Sequence, residues 1–132
     1  MTVESWDPKA LETSLSDKII GQFLVASGML GEPEFGLEEG EVAALAPLAR
    51  CGSADWAAAS EGLGDAEVIA LIRLFTLAEE AFALWEAGAK SPVIPLAAQL
   101  KKRGVYPDDL TAWIKAHTGN RFLPYGSLLD RL

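Results

Sequence analysis

The stretch DAEVIALIRLFTLAEEAFALWEAG, residues 65–88, decides the fold. Val68, Leu71, Ile72, Phe75, Ala78, Phe82 and Trp85 recur at intervals of three and four, the spacing that puts side chains on one face of an α-helix. Ile69, Arg73, Thr76, Glu80 and Ala83 mark a narrow, less apolar side. So wide an apolar face needs neighbours in several directions. The pattern predicts a central buried helix over about 66–87, capped by Asp65 at its start and by Gly88 at its end.

The flanking sequence supplies those neighbours. Upstream, Asp7-Pro8 has the form of a helix start, and Leu11, Leu15, Ile19, Phe23 and Leu24 continue one face. Ser16-Asp17 could restart that helix, and Gly28 and Gly31 end it. GEPEFGL (31–37) reads as a turn-rich connection. A helix begins near Leu37, where Glu38, Glu39 and Glu41 favour an N-terminus. Its stripe is Val42, Leu45 and Leu48–Ala49, and Pro47 should kink or shorten it before Cys51-Gly52. Ser53 caps a short helix that carries Trp56 and ends at Gly62.

Downstream, Ser91-Pro92 starts a helix with Val93, Leu96, Ala97 and Leu100 inward. Lys101, Lys102 and Arg103 sit in its last turn and Gly104 ends it. Pro107, Asp108 and Asp109 open another, faced by Leu110, Trp113 and Ile114 and closed by Gly119. A short last helix is expected from about Ser127. Alanine (21) and leucine (19) outnumber valine, isoleucine and threonine together (17), and no alternating stretch is bounded by hairpin turns, which favours helix over sheet. The expectation is all-α: residues 1–132 as a single helical domain, a compact bundle of about six helices packed around 66–87.

The formal net charge of −8 on 132 residues conceals a division. Residues 1–87 hold 16 acids against four bases, whereas residues 88–132 hold three acids against seven bases. The acidic whole argues against nucleic acid or an anionic membrane as a general partner, and the basic last third leaves room for a local anion site. One cysteine, Cys51, rules out an intrachain disulfide and a cysteine-based zinc site. MTVESWDP lacks the features of a secretory leader, and the longest strongly apolar uncharged run, 19–31, is shorter than the ~20 residues that span a bilayer. The expectation is a soluble cytoplasmic protein.

Catalytic signatures are incomplete. His117 is the sole histidine, so a histidine metal cluster cannot form within one chain, and no metal or cofactor is expected. A Cys51–His117 dyad would place the thiol near a helix C-terminus, which disfavours the thiolate. Gly88-Ala-Lys90-Ser91 lacks the glycine before lysine and the preceding strand of a phosphate loop. Lys90 and Ser91 at a helix start remain a possible anion site. Glu79 and Glu80 point about 100° apart on a helix and read as a solvated face. HTGNRFLPY (117–125) gathers the most versatile side chains, and His117, Asn120, Arg121 and Tyr125 form the candidate ligand site; the same turn can equally anchor the tail to the core.

Three functions follow, in order. The first is a non-enzymatic helical interaction or regulatory module that self-associates as a homodimer or other oligomer, since 50% hydrophobic content in so small a chain favours surplus apolar surface, which a partner would cover. The second is a small-molecule binder or small enzyme using the 117–125 turn. The third is a polyanion or nucleic-acid binder through Lys90, Lys101, Lys102, Arg103, Lys115 and Arg121.

Overall fold

In the computed structural model, which describes residues 15–50 and 53–119, all regular structure is helical. The described residues form six α-helices: α1 (Asp17–Ser27), α2 (Glu39–Ala49), α3 (Ser53–Ser60), α4 (Asp65–Ala81), α5 (Val93–Arg103) and α6 (Leu110–His117). Three single turns join them, at Pro33–Gly36, Ala83–Trp85 and Gly88–Lys90. The chain is an all-α bundle, and α4 is its centre: α1, α5 and α6 all pack on it. Among the described residues no helix is long and apolar enough to cross a membrane.

Local chemistry explains most boundaries. α1 starts at Ser16, whose hydroxyl accepts from the Ile19 N–H at 3.2 Å. The expected start at Asp7-Pro8 and the expected helix from Ser127 lie outside the described residues, as does Cys51. α2 opens with Glu38 as N-cap, and the Glu41 carboxylate accepts from the Glu38 N–H at 2.9 Å. α5 closes at Gly104, held in the left-handed region at φ 76 as expected for a glycine cap.

The central helix departs from its expected limits at both ends. Its N-cap is Gly64, whose N–H donates to Glu67 at 2.9 Å, and Asp65 lies one residue inside. Asp65 instead meets Arg103 at 2.7 Å. The helix ends at Ala81, because Phe82 turns extended (φ −116, ψ 111) and residues 83–85 form a separate tight turn. That break drives Phe82 against Phe35 at a ring separation of 5.6 Å and brings the Trp85 indole N–H to the Val42 carbonyl at 2.8 Å. Thr76, expected on the less apolar side, is fully buried, and its hydroxyl donates to the Ile72 carbonyl at 2.7 Å.

Aromatic rings fill the core. Phe23 of α1 meets Trp56 at 5.5 Å, Phe75 at 5.0 Å and Trp85 at 5.6 Å, and Trp56 meets Phe75 at 5.1 Å. Offset and edge-on contacts of this kind add ~0.5–1.5 kcal/mol each beyond area burial. Both buried indoles satisfy their N–H on the backbone of α2: Trp85 at Val42 and Trp56 at Leu48, 3.0 Å away. α2 is thus held from its inner side, while its outer side faces solvent.

Candidate functional site

The end of α6 positions the first of the expected site residues. His117 is exposed and stacks on Trp113 four residues earlier, with ring centroids 4.3 Å apart and planes at 25°. Its Nδ1 lies 2.7 Å from the Trp113 carbonyl. A carbonyl only accepts, so Nδ1 carries the proton and a neutral ring would turn Nε2 outward as an acceptor. Arg73 of α4 holds its guanidinium 5.6 Å from the same indole. Glu80, two turns along α4, accepts from the Gly119 N–H at 2.8 Å and the Thr118 hydroxyl at 3.2 Å. The chain leaving α6 is therefore tied to α4 through 118–119. Asn120, Arg121 and Tyr125 lie outside the described residues.

Lys90 and Ser91 occupy different environments. Ser91 is fully buried; its hydroxyl donates to Glu79 at 2.5 Å and accepts from the Val93 N–H at 3.2 Å. Lys90 is exposed and lines an open cleft of about 280 Å³ with Pro47, Arg50, Glu86 and Ala87. Glu79, expected on a solvated face, is only 5% exposed and is met there by the buried Ser91 hydroxyl. Glu80 beside it points away to α6, in line with the angular separation of adjacent helical residues. Among the described residues no group of three His, Cys, Asp or Glu side chains converges on one point.

The basic residues are likewise dispersed. Arg103 spends its guanidinium internally, on Asp65 at 2.7 Å, the Ser60 carbonyl at 2.8 Å and Gln99 at 3.3 Å. The Lys101 ammonium lies 4.7 Å from the Tyr106 ring centre. Lys102 and Lys115 are exposed on different helices.

A different surface stands out between α1 and α2. Ile19 and Gln22 on α1 face Ala43, Ala44, Pro47 and Leu48 on α2 across a groove of about 440 Å³, with Glu41 at its rim. The outward positions of α2 are Gly40, Ala43, Ala44 and Pro47, at intervals of three, four and seven, and all four are exposed. Val25, 69% exposed, lies one turn along α1 and within about 60° of Gln22 around the helix. The stripe Val42–Leu45–Leu48 marks the inner face of α2 alone. The outer face has its own signal in the sequence: no charged residue occurs between Glu41 and Arg50, so α2 is apolar or small on every side beyond its first turn.

Comparison with protein-family models, with curated proteins and with solved structures gives no match to this chain.

Proposed function

We propose that this chain is a non-enzymatic helical interaction module that associates with copies of itself. The observation that carries the reading is the α1–α2 groove, in which a helix held from its inner side by two indole hydrogen bonds presents alanine and proline to water. A surface helix of a protein with no partner there would carry charged residues on that side. Four large apolar residues, Val25, Met29, Leu84 and Val105, add to the exposed apolar surface. Burying such surface in an interface returns roughly 25 cal/mol per Å² before the costs of association.

Light scattering on the eluting protein over a concentration series tests the proposal. The expected mass rises above the 14.1 kDa of one chain as concentration increases. A strictly monomeric mass up to millimolar concentration would overturn it.

A further inference from the structure

The parts of the sequence on either side of residue 88 carry opposite net charge, and this indicates how one copy meets another. Residues 15–50, which build both walls of the groove, carry Asp17, Glu32, Glu34, Glu38, Glu39 and Glu41 against Lys18 and Arg50. Residues 88–119 carry Lys90, Lys101, Lys102, Arg103 and Lys115 against Asp108 and Asp109. Of these charges Glu41 is the one in the lining of the groove, so a cation carried by residues 88–119 of another copy would complement it.

That basic half presents a fitting ridge. On α5, Ile94, Ala98 and Lys102 follow at intervals of four, and Val105 lies just past the helix end. Ala98, Lys102 and Val105 are exposed and Ile94 is half-buried. Ile94 to Lys102 spans about 12 Å of helix, and Glu41 to Leu48 along the groove spans about 10 Å. Ala43 and Ala44 are small enough to let another helix approach closely, as ridge-in-groove packing requires.

We infer that the Ile94–Ala98–Lys102 ridge of one copy seats in the α1–α2 groove of a second, head to tail, with α5 antiparallel to α2. This rests on the self-association reading and assigns its surfaces. The antiparallel sense places Lys102 beside Glu41 and the acidic first turn of α2, and Ile94 beside Pro47 and Leu48. It also brings the negative end of one helix dipole to the positive end of the other. Because the two contacting patches differ, the contact is heterologous and leaves a free groove and a free ridge on a dimer, so growth continues with concentration unless a ring closes.

Sedimentation velocity on the full chain decides it, using Ala44→Glu to block the groove and Lys102→Glu to reverse the ridge. Both positions are exposed and glutamate is a good helix former, so far-UV dichroism and the thermal midpoint should stay close to wild type. Ala43→Glu and Ala98→Glu provide an independent pair on the same two faces. Each variant alone should associate at least about tenfold more weakly than wild type. An equimolar mixture of Ala44→Glu and Lys102→Glu chains should regain association, because the intact groove of one meets the intact ridge of the other. It should also stop at a 1:1 dimer, since the remaining groove and ridge are both disabled.

A mixture that stays monomeric contradicts the head-to-tail contact. Variants that associate like wild type contradict the assigned surfaces while leaving self-association standing. A wild-type chain that is itself monomeric at millimolar concentration removes both the inference and the reading beneath it.

Discussion

Arg103 shows how the surroundings of a charge decide its use. In the sequence it belongs to a run of three cations at a helix end, a natural polyanion contact. In the fold it closes the end of α3 by donating to the Ser60 carbonyl, orients Gln99, and pairs with Asp65. Gln99 in turn donates to the Ser60 hydroxyl at 3.1 Å, so one guanidinium completes a polar network between α3, α4 and α5. Arg103→Ala should lower the unfolding free energy by about 1–2 kcal/mol, because it leaves part-buried acceptors unpaired. Asp65→Asn should cost less than about 1 kcal/mol, since that carboxylate is 51% exposed. Urea titrations of the two variants check the ordering. Ser91 and Lys90 make a similar pair. Ser91→Ala removes a buried donor to Glu79 and should cost about 1–3 kcal/mol, whereas Lys90→Ala, at an exposed site, should stay within about 0.5 kcal/mol of wild type.

At the scale of elements, the tight turn Pro33–Gly36 and the end of α4 carry the informative departures. Glu34, Phe35 and Gly36 all sit in the left-handed region, at φ 52, 56 and 73. Only glycine adopts it without a penalty of roughly 1–2 kcal/mol per residue. Phe35 is held there by burial against Phe82, while Glu34 is exposed and gains nothing comparable. Glu34→Gly should therefore raise the thermal midpoint, by an amount equivalent to about 0.5–1 kcal/mol. Gly36→Ala should lower it: the backbone disfavours a side chain, and a Cβ there would fall 2.7 Å from the Met29 sulfur. Calorimetry on the two variants should show opposite shifts.

These elements also show what could be read in advance. The all-α class, the order of helices and the central place of 65–81 follow from three-and-four periodicity and from caps at Ser16, Glu38 and Gly104, all of which are local. The early end of α4 is not local. Phe75, Ala78, Phe82 and Trp85 keep helical spacing through the break, because both conformations bury them; the Trp85–Val42 hydrogen bond and the Phe82–Phe35 contact select the broken one. Burial of Glu79 depends on Ser91, twelve residues away, and is equally non-local. Of the expected ligand site, the structure places His117 on the Trp113 ring, which also meets Arg73 because α6 packs against α4.

For the whole molecule, the net charge of −8 matters less than its arrangement. An apolar groove with Glu41 in its lining and a ridge that ends in Lys102 suit a head-to-tail contact, and a contact steered by charge weakens as salt screens it. Association should accordingly fall when sodium chloride is raised from 50 to 500 mM, roughly from a Debye length above 10 Å to one near 4 Å, as followed by sedimentation.

The most direct test of the central claim is a dilution series of amide nitrogen–proton NMR spectra on the full chain. As concentration rises, the account predicts shifts or line broadening at Gln22, Ala43 and Ala44 and, together with them, at Ala98, Lys102 and Val105, with the Trp113–His117 end of α6 unchanged. Spectra that do not change with concentration, or changes centred on His117 with the groove and ridge unaffected, would contradict it.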